Sequence, residues 1–506
     1  MRLAAVVVLA ACGGDHAAAK HDASAVDSAG DGPPITPPST CTVPPEGMLV
    51  DVSASSNVVG DGTPASCTAA ALQTAVTAAG SIRFNCGSAP ITITLTQALK
   101  INNQGGASAV GDTVIDGGGL VTLDGAGAYR IIDLDACSPP YNSPNCDSFP
   151  HPHLTVERLT FTGAADASTD GGGAIYRKGG ALTVIDSVFE NNHCAVTGQD
   201  TAGGALRLIY PTPTIVVGST FHNNQCSDGG AIGGLNATPV TIINSTVDGN
   251  TATGVGGNPG NGGNAGGLYF DGTMLQLTMC GVQVTNNHGH AYGGGIFYVD
   301  DAGQGTVSIT NTVIQRNDIP MTSGQPSHGG GGYIQGADIT AANVAIDSNS
   351  AGFAAGLYVN SMNGRGSLNA TNMTVSNQAG DGLNLQGGTN GTLLNCTIAN
   401  NTRNGIAGAA PMTLANTVLA GNMTNCDAMP TAMPGNVEAG TVTCGGTAGD
   451  AQLGALMANG GTTGVPTMAP AAGGAAAGAG AATCPATDAR GMARPSTGCT
   501  SGAHQL

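Results

Sequence analysis

Between Gly171 and Asn250 the apolar and polar positions recur as a block, three times over, with the same two signatures in the same order. The copies are GGAIYRKGGALTVIDSVFENN from Gly172, GGALRLIYPTPTIVVGSTFHNN from Gly203 and GGAIGGLNATPVTIINSTVDGN from Gly229. Each opens on paired glycines and an aliphatic residue, runs through β-branched residues, and closes on Phe-x-x-Asn or its Val variant. The closing residue continues as Phe161, Phe189, Phe221, Val247, Val284, Ile314, Ile346, Val375, Ile398 and Leu419, in steps of 21 to 37 residues. The opening residue runs in parallel as Ile175, Leu206, Ile232, Leu268, Ile296, Tyr333, Leu357, Leu383 and Ile406. Opener to closer takes 13 to 18 residues and closer to next opener 8 to 21, so length variation concentrates at one corner.

A block that repeats at this period is one coil of a solenoid. Val, Ile and Thr between Gly and Asn corners, without helical periodicity, predict three short parallel strands per coil. The expected fold is therefore all-β, a single-stranded right-handed parallel β-helix. Asn192, Asn224, Asn250, Asn287, Asn317, Asn349, Asn401 and Asn422 fall at one turn position. There Asn tolerates left-handed geometry and its amides can stack as a ladder, so these residues read as scaffold. Thr68 to Ala79 breaks the pattern: Leu72 and Val76 stand four apart among alanines, with Thr68 as N-cap and Gly80 as stop. It predicts a short helix capping the first coil.

The GGA[IL] and FxxN pairing, as in Gly172 to Ile175 with Phe189 to Asn192, resembles the repeats of polymorphic outer-membrane proteins and related pectate-lyase-like β-helices. The C-terminal strings LGALMANGGTTGVPT from Leu453, CPATDARGMARP from Cys484 and the Cys-x-x-Gly-Ala ending at Cys499 to Ala503 are similar to choice-of-anchor Q domains. That resemblance implies a surface-displayed protein. The family's acidic Pro-Ala-Ile-Asp-Ala-Gly-like segment is AAGGAAAGAG here, and Thr500, His504 and Gln505 replace polar or aromatic positions of its usual ending.

Met1 to Cys12 (MRLAAVVVLAAC) looks like a lipoprotein signal whose Cys12 carries the lipid. The expected organisation is signal 1–12, disordered tether 13–40, N-terminal cap and first coils 41–100, β-helix 101–425 and a loop-rich, choice-of-anchor Q-like region 426–506. Gly13 after the cysteine leans towards the outer membrane or cell surface, with the lipid as membrane partner. Fourteen cysteines in a weakly charged chain fit an oxidising compartment. Spacing suggests the pairs Cys67 with Cys86, Cys137 with Cys146, Cys194 with Cys226, Cys426 with Cys444 and Cys484 with Cys499. Lipidating Cys12 leaves an odd thiol, and Cys280, aligned with Ile185, is the candidate for a buried free one. Lys and Arg number 14 against 32 Asp and Glu, for a net charge of −18 with no basic patch, which excludes nucleic acid as a partner.

Alternation in a strand sends the residue after each opener outward if the opener points in. That column reads Tyr176, Arg207, Gly233, Tyr269, Phe297, Ile334 and Tyr358. Exposed aromatics at one-coil spacing would form a platform for sugar rings, with Tyr176, Arg207, Tyr269, Phe297 and Tyr358 as the ligand-binding set. The loops Cys194 to Ala202, Thr251 to Ala265 and Asp318 to His328 would wall it. Reversed parity would make the same residues a core stack. For catalysis the nearest material is Asp300, Asp301, His288, His290 and Arg316, since paired carboxylates can divide acid and base roles. Lyase chemistry would need Ca²⁺ on several carboxylates with a basic residue, and the lysines are only Lys20, Lys100 and Lys178. No cofactor motif, nucleophile elbow or HExxH occurs. The expected function is non-catalytic adhesion or glycan binding. A polysaccharide lyase or hydrolase acting on polyuronate-type glycans, and an envelope spacer, are the alternatives.

Overall fold

The computed structural model describes residues 41–102, 108–138, 145–321, 327–481 and 483–506. The signal, the tether and Cys12 lie outside them, as do parts of the Pro-rich loop after Cys137 and of the loop before His328.

Every repeat is one coil of a parallel β-helix. Ile175–Lys178, Leu182–Ile185 and Val188–Glu190 form one coil, and each pairs in parallel with its counterpart 31 or 32 residues on, at Leu206–Ile209, Thr214–Val217 and Thr220–His222. The closing residues lie in register from Leu123 and Phe161 through Phe189, Phe221, Val247, Val284, Ile314, Ile346, Val375 and Ile398 to Leu419. The openers align too, with one correction. Ile296 pairs with Gly332 and Phe297 with Tyr333, so Tyr333 belongs to the outward column and Ile334 is buried in the core. Four consecutive glycines at 329–332 leave no side chain to mark the phase.

Inside the coils a continuous apolar core runs the length of the winding. Phe161, Phe189 and Phe221 stack with centroids 4.5 and 4.9 Å apart, the spacing that parallel pairing imposes. The turn amides form the expected ladder. Asn192, Asn224, Asn250 and Asn287 each donate from Nδ2 to the Oδ1 of the next at 2.9 Å, and Asn287 does the same to Asn317. Each Oδ1 also accepts the preceding ladder residue's backbone N–H. Gln378 occupies the position between Asn349 and Asn401. The left-handed backbone falls one residue before the ladder, at Asn191, Asn223, Asn286, Arg316 and Ser348, so the ladder residues themselves are not the left-handed ones. A second set of left-handed turns, Asn244, Asn311, Asn343, Asn372, Asn395 and Asn416, lines the corner between the middle and closing strands.

The helix spans Ala69–Ala78; the Thr68 side chain accepts from Ala71 N–H at 3.2 Å, and Leu72 and Val76 join the core of the first coils. Strand pairing begins at Asn57–Val59, within the segment expected to hold the cap and first coils, and continues to Thr447–Ala448, past residue 425.

Both terminal segments run along the outer Asn corner. Near the start, Cys41, Val43 and the Pro45–Gly47 turn cover Ile215, Val217 and Ile243, and Cys41 is disulfide-bonded to Cys280. Cys280 is therefore not the free thiol. Its column faces outward at the corner, and among the described residues the buried free cysteine is Cys396. At the other end Asn395 Nδ2 donates to Thr500 O (3.1 Å), Asn372 Nδ2 to Thr487 O (2.9 Å) and Arg494 Nη2 to Gly502 O (2.7 Å). The remaining bridges join Cys67 to Cys86, Cys137 to Cys146, Cys194 to Cys226, Cys426 to Cys444 and Cys484 to Cys499. Cys194 and Cys226 sit on adjacent coils with Cα atoms 4.7 Å apart.

Candidate functional site

The outward column of the opening strands runs, in register, Tyr176, Arg207, Gly233, Tyr269, Phe297, Tyr333 and Tyr358. Tyr269, Phe297, Tyr333 and Tyr358 stack face to face, with centroids 5.2, 5.4 and 4.9 Å apart. This is an outward ladder, distinct from the core, yet it is not an open platform. The loops fold over it. Tyr176 is buried under Arg130, whose guanidinium lies 4.6 Å from the ring, while Arg207, Tyr269 and Phe297 are 3, 0 and 4% exposed. Tyr333 and Tyr358 remain half-buried, with Tyr292 tilted against Phe297 and Tyr333.

Two residues further along the same strands the outward column is Leu235, Asp271, Val299 and Gln335. Between these two columns and the loops opens a groove of about 550 Å³. Phe297, Tyr333 and Tyr292 give it an aromatic lining, Gln199, Asp200, Asn258 and Pro259 from the two long loops line it as well, and Asp271 and Asp301 stand at the strand ends. Among the described residues no Lys, Arg or His lines it.

Three carboxylates thus share one groove. The Tyr269 hydroxyl lies 2.9 Å from Asp200 Oδ1 and 3.1 Å from Asp271 Oδ2, and Asn258 Nδ2 donates to both Asp200 Oδ1 (2.9 Å) and the Tyr269 oxygen (2.8 Å). Burial, then the charge of Asp301, pushes the Asp271 carboxyl up to about 6. Burial also raises Asp301, helped by Asp300 and Asp200. Close by, burial lifts Asp228 to about 8. Asp228 Oδ2, Arg207 Nε and Nη1, and Asn258 Oδ1 are buried with no partner, an unusual concentration of unmet polar groups.

The remaining sequence candidates fall elsewhere. Asp300 is fully buried and spends its carboxylate on the N–H groups of Leu275, Ala302 and Gln304, so it holds a turn. His288 pairs with Asp318, His290 Nδ1 meets Ala252 O, and Arg316 donates to Asn286 Oδ1 at 2.9 Å. These three brace corners, and none bonds to Asp300 or Asp301. Asp301 alone of the five lines the groove. Asp271 was accessible to sequence reasoning, because it shares the outward parity of Tyr269 two residues away. Asp200 and Asn258 were not, since their positions depend on loop paths. Among the described residues no group of His, Cys, Asp and Glu suits a metal ion, and no helix is long and apolar enough to cross a membrane.

No family model matches the chain, and no curated protein matches it. Among solved structures it is similar to the catalytic domain of a GH87 alpha-1,3-glucanase in complex with tetrasaccharides, at 11% identity over 71% of this chain and 61% of that one, with a TM-score of 0.30. It is also similar to the A-modules of the Azotobacter vinelandii mannuronan C-5 epimerases AlgE6 (12% identity, 76% of this chain and 97% of that one, TM-score 0.30) and AlgE4 (14%, 75% and 89%, 0.24). The chain spans less than two thirds of the glucanase domain. At this level of superposition no residue correspondence follows, and the parallel β-helix stands on the strand registers of this chain itself.

Proposed function

We propose that this chain is an exported, lipid-anchored β-helix, with a choice-of-anchor Q-like C-terminal region, whose loop-walled groove binds a glycan. The single observation that carries the glycan reading is a groove lined together by aromatic rings and by carboxylate and amide groups. Sugar rings present apolar faces and hydroxyl edges, and such a lining meets both. Binding is confined to the stretch left open by the loops, around Tyr292, Phe297 and Tyr333, rather than spread along the whole aromatic column. Three acids in the groove, no base among its lining residues and a net charge of −18 favour an uncharged glycan over a polyuronate. The N-terminal lipid signal and the six disulfides support export.

The test is affinity electrophoresis or calorimetry against neutral glucans, mannans and xylans beside polygalacturonate and alginate. Tyr333→Ala and Tyr292→Ala should each weaken binding about tenfold, or about 1.4 kcal/mol. Retention of no glycan, or full affinity after both substitutions, refutes the groove as a binding site.

A further inference from the structure

The groove holds more than recognition requires. A phenol has one proton to give, yet the Tyr269 hydroxyl stands within hydrogen-bond distance of two carboxylates, Asp200 and Asp271. Both contacts are made only if one carboxylic acid is protonated and donates to the phenol oxygen while the phenol donates to the other. Asn258 Nδ2 and the Tyr269 hydroxyl both donate to Asp200 Oδ1, whereas burial favours the acid form of Asp271, which carries the proton. The two oxygens bridged by Tyr269 are no farther apart than those two bonds laid end to end, and the Asp200 charge at that range opposes ionisation of Asp271. Asp301 follows the end of the next coil's strand, its N–H donating to Gly272 O at 2.8 Å, and it is open to solvent. The partnerless Asn258 Oδ1 in the groove wall marks a place where a hydroxyl group or water would complete the bonding.

We propose that the groove hydrolyses an uncharged polysaccharide, with Asp271 as general acid, Asp301 as general base, and Tyr269 and Asp200 positioning the proton on Asp271. This rests on the glycan-binding reading of the same groove. In the reaction the Asp271 proton passes to the glycosidic oxygen as the bond from that oxygen to the anomeric carbon breaks, the bonding pair staying on the oxygen. A water adds its oxygen to the anomeric carbon and gives its proton to Asp301. Exchange with bulk water returns Asp271 to the acid and Asp301 to the carboxylate. The division of roles follows from environment: Asp271 is half-buried among acids and holds its proton to about pH 6, whereas Asp301 is exposed and meets water directly.

The experiment measures new reducing ends released by the full-length protein from each neutral glycan it binds, with polygalacturonate and alginate as charged controls. Release is expected from a neutral glycan, with a rate that falls on the basic side near pH 6. Asp271→Asn and Asp301→Asn should each lower kcat at least about a hundredfold. Tyr269→Phe removes the phenol oxygen to which protonated Asp271 donates, a bond that favours the acid form, so the basic limb should move downward by about half a pH unit or more. A merely structural tyrosine would leave that limb in place. Binding without any release overturns the hydrolytic proposal and leaves the binding reading standing, whereas absence of binding overturns both. Release that survives Asp271→Asn, or release from the polyuronates instead, overturns the assignment of acid and of substrate charge.

Discussion

Replacing Asn250 by alanine removes one rung from the middle of the buried amide ladder. In the wild type, Asn250 Oδ1 accepts from the backbone N–H of Asn224 (2.9 Å) and from its Nδ2 (2.9 Å). Asn250 Nδ2 donates to Phe221 O (3.0 Å) and Asn287 Oδ1 (2.9 Å). Asn287 Oδ1 keeps a donor after the substitution, because it also accepts the backbone N–H of residue 250 at 3.0 Å. Three groups lose these partners, the Asn224 N–H, the second hydrogen of the Asn224 amide and the Phe221 carbonyl, whereas the Asp248 carbonyl, also met by Asn250 Nδ2 at 3.1 Å, keeps the Asn223 N–H at 3.3 Å. Asn224 and Asn250 are fully buried, so water reaches them only by opening the coil. At roughly 1–3 kcal/mol per stranded buried group, reduced by local relaxation, the loss should be about 4 kcal/mol. Urea unfolding followed by far-ultraviolet circular dichroism reads the total, and amide hydrogen exchange reads the site, where the Asn224 N–H should lose protection first. Gln378→Ala should cost less, because Gln378 takes no side-chain donation from Asn349 Nδ2. A cost below about 1 kcal/mol for Asn250→Ala would refute the view that the ladder holds the corner together.

Two further outcomes follow from buried groups. Asp228 holds its proton to about 8 against an ordinary 3.8, chiefly through burial. The folded chain therefore keeps a proton that the unfolded chain releases, so this stabilisation is complete below about pH 4 and is lost as pH rises through about 8, by about 6 kcal/mol at most. Urea midpoints across that range should fall, and Asp228→Asn, which retains the acceptor for the Asn264 N–H, should flatten most of the decline; an unchanged slope would refute it. Peptide mapping without reduction should recover Cys41 joined to Cys280, with Cys396 alkylated only after unfolding, since burial pushes its thiol up to about 12. Replacing Cys41 and Cys280 by serine should cost about 2–4 kcal/mol, and alkylation of Cys280 in the folded wild type would contradict the bridge.

The winding itself is written in the sequence, because a parallel coil imposes a local rule on each of its turns. Every closing position must fill the same slice of core, so Phe161, Phe189, Phe221 and Val247 announce one another along the chain. The rule fails only where it has no side chain to act on, at the glycines before Tyr333. The parity of the aromatic column is local in the same sense, and Tyr269 and Phe297 do face away from the core. Whether they meet solvent is not a local property. It depends on where the loops carrying Asp200 and Asn258 come down, and those loops turn a predicted platform into a covered ladder with a groove at its edge. The pairing of Cys41 with Cys280, 239 residues apart, is equally a matter of tertiary path, since the first segment doubles back along the outer corner before the winding begins. Periodicity fixes which face a side chain takes. Only the folded chain fixes what then lies over that face, because the covering segments are irregular and their contacts come from distant coils.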